Sequence, residues 1–383
     1  MKKPAELLFL VLFILLFPIL LAACSQIVGG KPQTVKDTFL PDGDRVNVEV
    51  WVEHLEIPWS LIFLPDGRAL VSERPGRIRL IKNGKMQERA YAKIAVVHTG
   101  EAGLLGLALH PKFPGQPYVY AYHTYEQDSD RRNRVVRLRD KGDRAIFDRV
   151  IFDGIPGGKF HDGGRIAFGP DGMLYVTTGE IFQGELAQDL NSLGGKILRI
   201  TPEGGIPGDN PFANSPVYSY GHRNPQGLAW QPGTDWLFES EHGPSGESGR
   251  FAHDEINVIV KGGNYGWPDV IGAPGEKPFV DPVVVWKDTT PPSGMTFYRA
   301  SLLPHLRGNL FVATLRSESL IRILFDNGRS VHAIERWFTE KFGRIRDVVE
   351  GPDGALYFMT NNRDGRGSPR KGDDKIYRIV PKE

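Results

Sequence analysis

The stretch FGPDGMLYVTTGE, residues 168–180, joins a Pro-Asp-Gly turn to a short hydrophobic segment. Leu174 and Val176 alternate with Tyr175, which is typical of a strand whose two faces pack against different neighbours. A polar gap follows, and GGKILRI at residues 194–200 has the pattern of a second strand. The stretch therefore predicts a pair of strands opened by a tight turn.

The same pattern of a turn followed by strands recurs along the chain. Clear copies are FLPDGRALVSERPGRIRLI (63–81) and EGPDGALYFMTNNRDG (350–365), the second followed by DDKIYRIV (373–380), and weaker copies lie at 109–124, 230–243 and 305–324. These six units predict an all-β fold, a six-bladed β-propeller of four-stranded antiparallel blades. A β-sandwich with a second domain is the alternative, and the recurring turn disfavours it.

The composition is that of a soluble globular protein. The chain has 383 residues, of which 40% are hydrophobic and 24% charged. Its 45 Gly and 29 Pro show no collagen-like period, so they indicate many tight turns between short strands. The formal net charge is only +1, which gives no support to nucleic acid as a partner.

The first residues have the features of an export signal. Lys2 and Lys3 precede an apolar run from Leu7 to Leu21, which is short for a membrane span, and Leu-Ala-Ala then leads to Cys24, the only cysteine. This resembles a bacterial lipobox. We therefore expect an exported protein, lipid-anchored to a bacterial membrane and facing the periplasm or the cell exterior. A plain secreted protein that loses Cys24 is the alternative. The predicted divisions are a lipoprotein signal peptide (1–23), a lipidated N-terminus and tether (24–44), and a propeller domain (45–383).

Polar residues are concentrated on the loops at the ends of the predicted strands. The chain lacks a Gly-x-Ser-x-Gly elbow, a His-Glu-x-x-His zinc motif, a Cys-x-x-Cys pair and a phosphate loop. His161 is a candidate base, because the Gly-Gly pair that follows closely lets a ligand approach the backbone. A histidine at the mouth of a strand is often a hydrogen-bonded structural residue, so the residues alone leave both interpretations open. Several loop arginines would suit an anionic ligand, if the loops converge.

Six longer segments of the chain are more specific than any of these single residues. They are GEAGLLGLALHP (100–111), FHDGGRIAFGPDG (160–172), YGHRNPQGLAW (220–230), SEHGP (240–244), DEINVIVKGGNYGWP (254–268) and RIRDV (344–348). In this order they resemble the soluble aldose dehydrogenases of the glucose/sorbosone type, which use pyrroloquinoline quinone (PQQ). The resemblance runs from about residue 46 to residue 380. It implies a six-bladed propeller that oxidises aldose sugars at C1 to lactones.

The resemblance also implies roles for individual residues. His161 matches the catalytic base. The residues that would contact PQQ are Glu101, Arg223, Asn224, Arg316, Arg344 and Arg346. The carbonyls of Gly243 and Pro244 would bind a catalytic calcium ion, and Glu255 and Tyr265 a second calcium ion. Trp286 and Glu180 would contact the sugar.

Three features depart from some members of the family. Glu101 stands where some carry glutamine, and Arg316 stands where some carry lysine. The loop DVIGAPGEKPFVDPVVVW (269–286) is short, which predicts an open pocket that accepts many sugars. A carboxylate at position 101 needs a neighbouring arginine or a proton if it is to lie beside an anionic quinone.

The leading hypothesis is a PQQ- and calcium-dependent dehydrogenase that passes electrons to an external acceptor, a cytochrome or a quinone. Membrane contact would then be through the lipid anchor only. Two alternatives remain open at this point. A calcium-dependent propeller lactonase or esterase requires a carboxylate-lined metal site and no arginine cluster. A non-catalytic ligand-binding propeller requires neither, because fold does not fix function.

Overall fold

The computed structural model describes residues 37–40 and 46–382, apart from residues 274 and 327. The predicted signal peptide and most of the predicted tether lie outside these residues. The described part is built almost wholly from strands. Its helices are three short 3₁₀ turns, at Gly184–Ala187, Glu247–Gly249 and Pro304–Leu306. No helix in the described ranges has the length and apolar character needed to span a membrane.

The strands form six sheets arranged as the blades of a propeller, which confirms the predicted fold. Blade 1 contains Pro58–Phe63, Ala69–Glu73, Arg77–Lys82 and an outer strand in two pieces, Lys85–Met86 and Ala92–Lys93. Blade 2 contains Leu104–Leu109, Tyr118–Gln127, Asp130–Asp140 and Ala145–Pro156. Blade 3 contains Ile166–Phe168, Leu174–Thr178, Lys196–Ile200 and Val217–Tyr220.

The other three blades follow the same plan. Blade 4 contains Pro225–Trp230, Leu237–Glu241, Glu255–Val258 and Val284–Val285. Blade 5 contains Pro292–Phe297, Leu310–Thr314, Leu320–Phe325 and Val331–Trp337, with Asp37–Leu40 added outside as a parallel strand. Blade 6 contains Ile345–Glu350, Leu356–Thr360, Ile376–Pro381 and, as its outer strand, Val46–Val52.

The recurring Pro-Asp-Gly turn has the same structure in three blades. The aspartate side chain accepts a hydrogen bond from the backbone N–H two residues later. The donors are Arg68 N–H to Asp66, Met173 N–H to Asp171 and Ala355 N–H to Asp353. The glycine that follows the aspartate takes a positive φ, for example 75° at Gly172, which favours glycine. The turn that suggested the repeat in the sequence is therefore the element that starts the second strand of these blades.

The ring is closed by a strand from the beginning of the chain. Val46–Val52 pairs antiparallel with Ile376–Pro381, so blade 6 draws on both ends of the described chain. Closure removes the free edges that an open array of blades would leave. Six buried apolar clusters fill the ring, one between each pair of adjacent blades.

Polar side chains cross between blades near the centre of the ring. Arg165 donates to the carboxylate of Asp347 in blade 6 (3.2 Å) and lies over the ring of Trp59 in blade 1 (4.2 Å). Asp347 also accepts the backbone N–H of Leu61 in blade 1 (3.1 Å). Arg165, which precedes the first strand of blade 3, therefore anchors that blade to its neighbours.

One buried lysine holds the loop between the second and third strands of blade 3. The Nζ of Lys196 donates to the carbonyl oxygens of Leu186 (2.6 Å), Ala187 (3.0 Å) and Gly194 (2.7 Å). We expect Lys196→Met to leave the carbonyls of Leu186 and Gly194 without a donor, while Ala187 keeps that of Gly221, and to lower the free energy of unfolding by about 3 kcal/mol. Urea unfolding of this variant, with the exposed Lys85→Met as control, measures the effect. Equal stability of the two variants would contradict it.

Candidate active site

A pocket of about 280 Å³ opens at one end of the propeller, near the lower end of the range for small-molecule sites. Its wall is made by residues that lie just before the first strand of a blade or just after the second. Because the strands are antiparallel, these positions meet at the same end of the ring. Six predicted site residues lie in this wall, namely Glu101, His161, Gly243, Pro244, Arg316 and Arg344.

His161 forms part of a buried pair with Glu180. The Nδ1 atom of His161 lies 2.5 Å from Oε1 of Glu180, and both side chains are almost fully buried. The backbone N–H of His161 donates to Glu101 (3.1 Å), and its ring stacks on Phe182, with 3.9 Å between the centroids. No hydrogen bond within the described residues occupies Nε2 of His161. The imidazole is therefore held on three sides, with one nitrogen left for a ligand.

The glycines near His161 have a packing role that differs from the one predicted. A Cβ atom on Gly163 would lie 2.7 Å from the carbonyl oxygen of Thr177, and one on Gly164 would lie 2.5 Å from Leu105. On Gly179 it would lie 1.8 Å from the carbonyl oxygen of His161. These glycines therefore let protein segments pack closely, and the structure does not use them to expose backbone to a ligand.

Glu101 has the arginine neighbour that the sequence analysis required. Its Oε1 forms an ion pair with Arg366 (2.7 Å), and Asn224 is within 3.5 Å of its Oε2. Burial acts to raise the pKa of Glu101, but the charges of His161 and Arg366 outweigh it and hold that pKa below its usual range. Glu101 is therefore a carboxylate that links His161 to Asn224 and Arg366.

Two of the predicted cofactor arginines have no carboxylate partner among the described residues, and of these Arg316 lines the pocket while Arg346 does not. Arg346 is buried and donates only to Gln226 Oε1 (2.7 Å) and Ser293 Oγ (3.3 Å), while its Nε has no partner. Burial lowers its pKa to about 9. Arg316 lies exposed in the pocket wall and forms no hydrogen bond or ion pair with a described residue. An anionic ligand would supply the missing negative charge.

The other two arginines that the sequence singled out are paired. Arg344 forms an ion pair with the buried Asp364 (2.7 Å), and Arg223 forms one with Glu247. Arg223 also donates to the carbonyl oxygen of His242 (3.1 Å). Burial lowers the pKa of His242 to about 3, so this imidazole stays neutral in the pocket wall.

The four predicted metal-binding residues lie around one small cavity. Gly243, Pro244, Glu255 and Tyr265 all line a space of about 20 Å³, which is room for a single ion or water. Gly243 and Pro244 also line the large pocket. Within the described residues, no hydrogen bond reaches the carbonyl oxygens of Gly243 and Pro244. Carbonyl and carboxylate oxygens are the donors that Ca²⁺ prefers, so this set fits a calcium ion.

A cluster of buried acidic residues lies next to Glu255. Oε1 of Glu239 has no hydrogen-bond partner in the described part of the chain, and Asn257 donates to its other oxygen (3.0 Å). Burial, together with the nearby Glu241 carboxylate, raises the pKa of Glu239 and of Glu255 well above the usual range. His222 belongs to the same group, but Ser219 and Glu241 already engage its two ring nitrogens. Oε1 of Glu239 is therefore the carboxylate oxygen of this cluster that has no hydrogen-bond donor.

Two residues predicted to contact the sugar do not line the pocket. Trp286 is buried in the apolar cluster between blades 4 and 5 and does not line the pocket, so its contact with the sugar stays a prediction. The Glu180 carboxylate holds His161 and does not line the pocket. Residues that the sequence analysis did not assign take these places, chiefly Phe160, Phe182, Phe251 and Arg366. Phe182, Phe251 and Arg366 lie outside the six motifs, whereas Phe160 precedes His161 within one of them.

Fold and pocket together define a six-bladed propeller with a polar ligand site at one end. The family model described as Glucose / Sorbosone dehydrogenase matches residues 55–377. The chain belongs to the glucose/sorbosone dehydrogenase family.

Comparison with individual proteins agrees with this assignment. The chain is 36% identical to the aldose sugar dehydrogenase YliI of Escherichia coli, over 85% of this chain and 93% of that protein. The structure of a glucose dehydrogenase, described as a putative oxidoreductase, from Thermus thermophilus is 54% identical, with a TM-score of 0.82 over 88% of this chain and all of that one. The PQQ-bound aldose sugar dehydrogenase of Streptomyces coelicolor is 40% identical, with a TM-score of 0.78 over 89% of this chain and all of that one.

Proposed function

We propose that this protein is a dehydrogenase that oxidises aldose sugars at C1 to lactones, with PQQ as the hydride acceptor. The observation that carries the proposal is the buried His161–Glu180 pair beside two guanidinium groups that lack a carboxylate. Family membership and the PQQ-bound relative from Streptomyces support the same function.

The residues of the pocket fit the anionic quinone. Arg316 and Arg344 line the pocket, and the buried Arg223 and Asn224 contact its wall residues His242 and Glu101. Arg316, together with the buried Arg346, would offer uncompensated positive charge to the carboxylates of the quinone. PQQ, when bound, supplies an electrophilic carbonyl that accepts hydride. The arginines would hold it by charge-assisted hydrogen bonds, which are about twice as strong as neutral ones.

His161 would act as the general base. Its Nε2 would take the proton of the C1 hydroxyl as the C1–H bond breaks, and the cyclic sugar would become a lactone, with the hydride going to the acceptor carbonyl that bound PQQ would supply. Glu180 accepts from Nδ1–H, which fixes the ring and stabilises the positive charge that develops on it. The carbonyls of Gly243 and Pro244 would hold the calcium ion that polarises the acceptor.

Dye-coupled oxidation of glucose by the purified protein tests the proposal, with PQQ and calcium added separately and together. Activity that requires both additions is the expected result. Activity on no aldose, together with no quinone binding by absorbance, would overturn the proposal. Hydrolysis of lactones or esters in calcium alone would instead indicate the hydrolase, which the buried carboxylates allow but which leaves the free arginines unexplained.

The acidic cluster predicts a calcium effect on stability. Saturating Ca²⁺, at about 100 times its dissociation constant, should raise the Tm of the quinone-free protein by about 4 °C. Glu239→Gln and Glu255→Gln should abolish this shift, and Glu239→Gln should raise the Tm measured in chelator, because it removes an uncompensated buried carboxylate. Calorimetry with the exposed Glu88→Gln as control measures both effects. A calcium shift that survives in both cluster variants would contradict the assignment.

The N-terminal residues give the proposed location. Export with lipid attached to Cys24 rests on the sequence alone, and it would leave the propeller outside the cytoplasm beside an electron acceptor, a cytochrome or a quinone. Mass spectrometry of the mature N-terminus tests the lipid. An unmodified N-terminus beyond residue 24 would show a plain secreted protein.

A further inference from the structure

We propose that Phe182 and Phe251 bind the sugar by packing against the C–H face of its pyranose ring, an inference that rests on the proposed function. Trp286, which the resemblance assigned to the sugar, is buried between blades and does not line the pocket. The pocket nevertheless has two large apolar side chains open to solvent. Phe182 is 51% exposed and Phe251 is 62% exposed.

Their location separates these two side chains from other exposed apolar residues. Phe147 is as exposed as Phe251 but lies on the outer strand of blade 2, away from the pocket. Phe182 and Phe251 belong to loops of two adjacent blades and both line the pocket. Leaving a phenylalanine half exposed forgoes its burial energy, and binding sites are where such exposure is expected.

The backbone holds Phe182 in place at a cost. Ile181 has a φ of 53° and Phe182 a φ of 62°, in the left-handed region that β-branched and bulky residues rarely adopt. A tight turn keeps the two residues there, with Gln183 N–H donating to the carbonyl of Glu180 (2.8 Å) and Glu180 N–H to that of Arg223 (3.0 Å). Backbone strain of this kind persists where the surrounding contacts fix the conformation, and it is concentrated at ligand-binding and active sites.

The strained turn places Phe182 beside the base. One face of its ring stacks on the imidazole of His161, and the edge of Phe160 meets it at 5.8 Å. Phe182 and His161 therefore line the pocket side by side and in contact. An aldopyranose offers a C–H surface to an aromatic ring and hydroxyls at its edge. A sugar that packs its C–H surface on phenylalanine can therefore turn an edge hydroxyl towards the imidazole in the same pocket wall.

Phe251 supplies a second apolar wall from blade 4. It follows the Gly243–Pro244 segment, and an isolated β-bridge with Ser245 closes the loop between them. Phe251 makes no contact with His161 among the aromatic pairs of the described residues. Its contribution to sugar binding is therefore separable from any effect on the base.

Steady-state kinetics of Phe182→Leu and Phe251→Leu test the inference, with Phe147→Leu as the matched control. We expect KM for glucose to rise about tenfold in each pocket variant. The change in kcat should be less than about threefold in Phe251→Leu, whose side chain does not stack on His161. Phe182→Tyr should restore the parental KM, because it keeps the aromatic face. The control should match the parent.

Saturation-transfer NMR on glucose gives a readout that does not depend on turnover. In the quinone-free protein, the C–H protons of the sugar should receive saturation from the aromatic protons, and both leucine variants should reduce it. Sugar oxidation with unchanged KM and unchanged transfer in both variants would overturn the inference and leave the dehydrogenase intact. Transfer that depends on the phenylalanines in a protein without dehydrogenase activity would support the inference and overturn the proposed reaction.

Discussion

Replacement of His161 by glutamine is expected to lower kcat for glucose by about 10³-fold. Glutamine keeps the length and polarity of the side chain, but it cannot take the proton of the C1 hydroxyl. The proposed quinone contacts come from arginines on other loops, so PQQ binding should change little. Dye-coupled kinetics and quinone titration by absorbance measure the two quantities separately.

A second histidine provides a matched control. His332 also pairs with a carboxylate, Asp326 at 3.0 Å, but it lies on the surface of blade 5. His332→Gln should therefore have no effect on kcat. Glu180→Gln should give an intermediate loss of about 10- to 100-fold, because it removes the charge that fixes the imidazole and leaves the base in place. Sugar oxidation by His161→Gln at the parental rate would refute the mechanism.

The fold could be predicted from the sequence because the signal is local. The aspartate and glycine of each turn act within two or three residues, through the bond from Asp171 to the N–H of Met173 and the positive φ of Gly172. Ring closure could not be predicted in this way. The pairing of Val46–Val52 with Ile376–Pro381 joins distant segments, and no local pattern in either strand identifies the other.

Some residues of the pocket could be identified from the sequence and others could not, and this difference has a physical cause. His161, Glu101 and Arg344 lie in motifs and were found, because their neighbours in sequence are also their neighbours in the loop. Phe182 and Phe251 lie outside such motifs, and their position depends on which loops meet. The burial of Trp286 could not be predicted, because a tryptophan near a motif can face the core as well as the pocket and only packing decides between the two.

Removal of the Arg346 guanidinium should have opposite effects on stability and on binding. We expect Arg346→Met to raise the free energy of unfolding of the quinone-free protein by about 2 kcal/mol, or the Tm by about 3 °C. Burial lowers the pKa of Arg346 to about 9, so the group is still charged at neutral pH and the cost of its burial is present in full. The same substitution should weaken PQQ binding by about 100-fold, because a buried charge-assisted contact is lost.

Removal of the Arg344 guanidinium should change the stability in the opposite direction. Its guanidinium is paired with the buried Asp364, so Arg344→Met leaves a carboxylate without a partner and should lower the Tm. Both variants should bind PQQ more weakly, while their stabilities move in opposite directions. Calorimetry without quinone and isothermal titration with quinone separate the two effects. A fall in Tm for Arg346→Met with unchanged PQQ affinity would show that this arginine supports the fold. The opposite outcome means that the protein keeps an unpaired buried charge at a cost in stability because the quinone requires it.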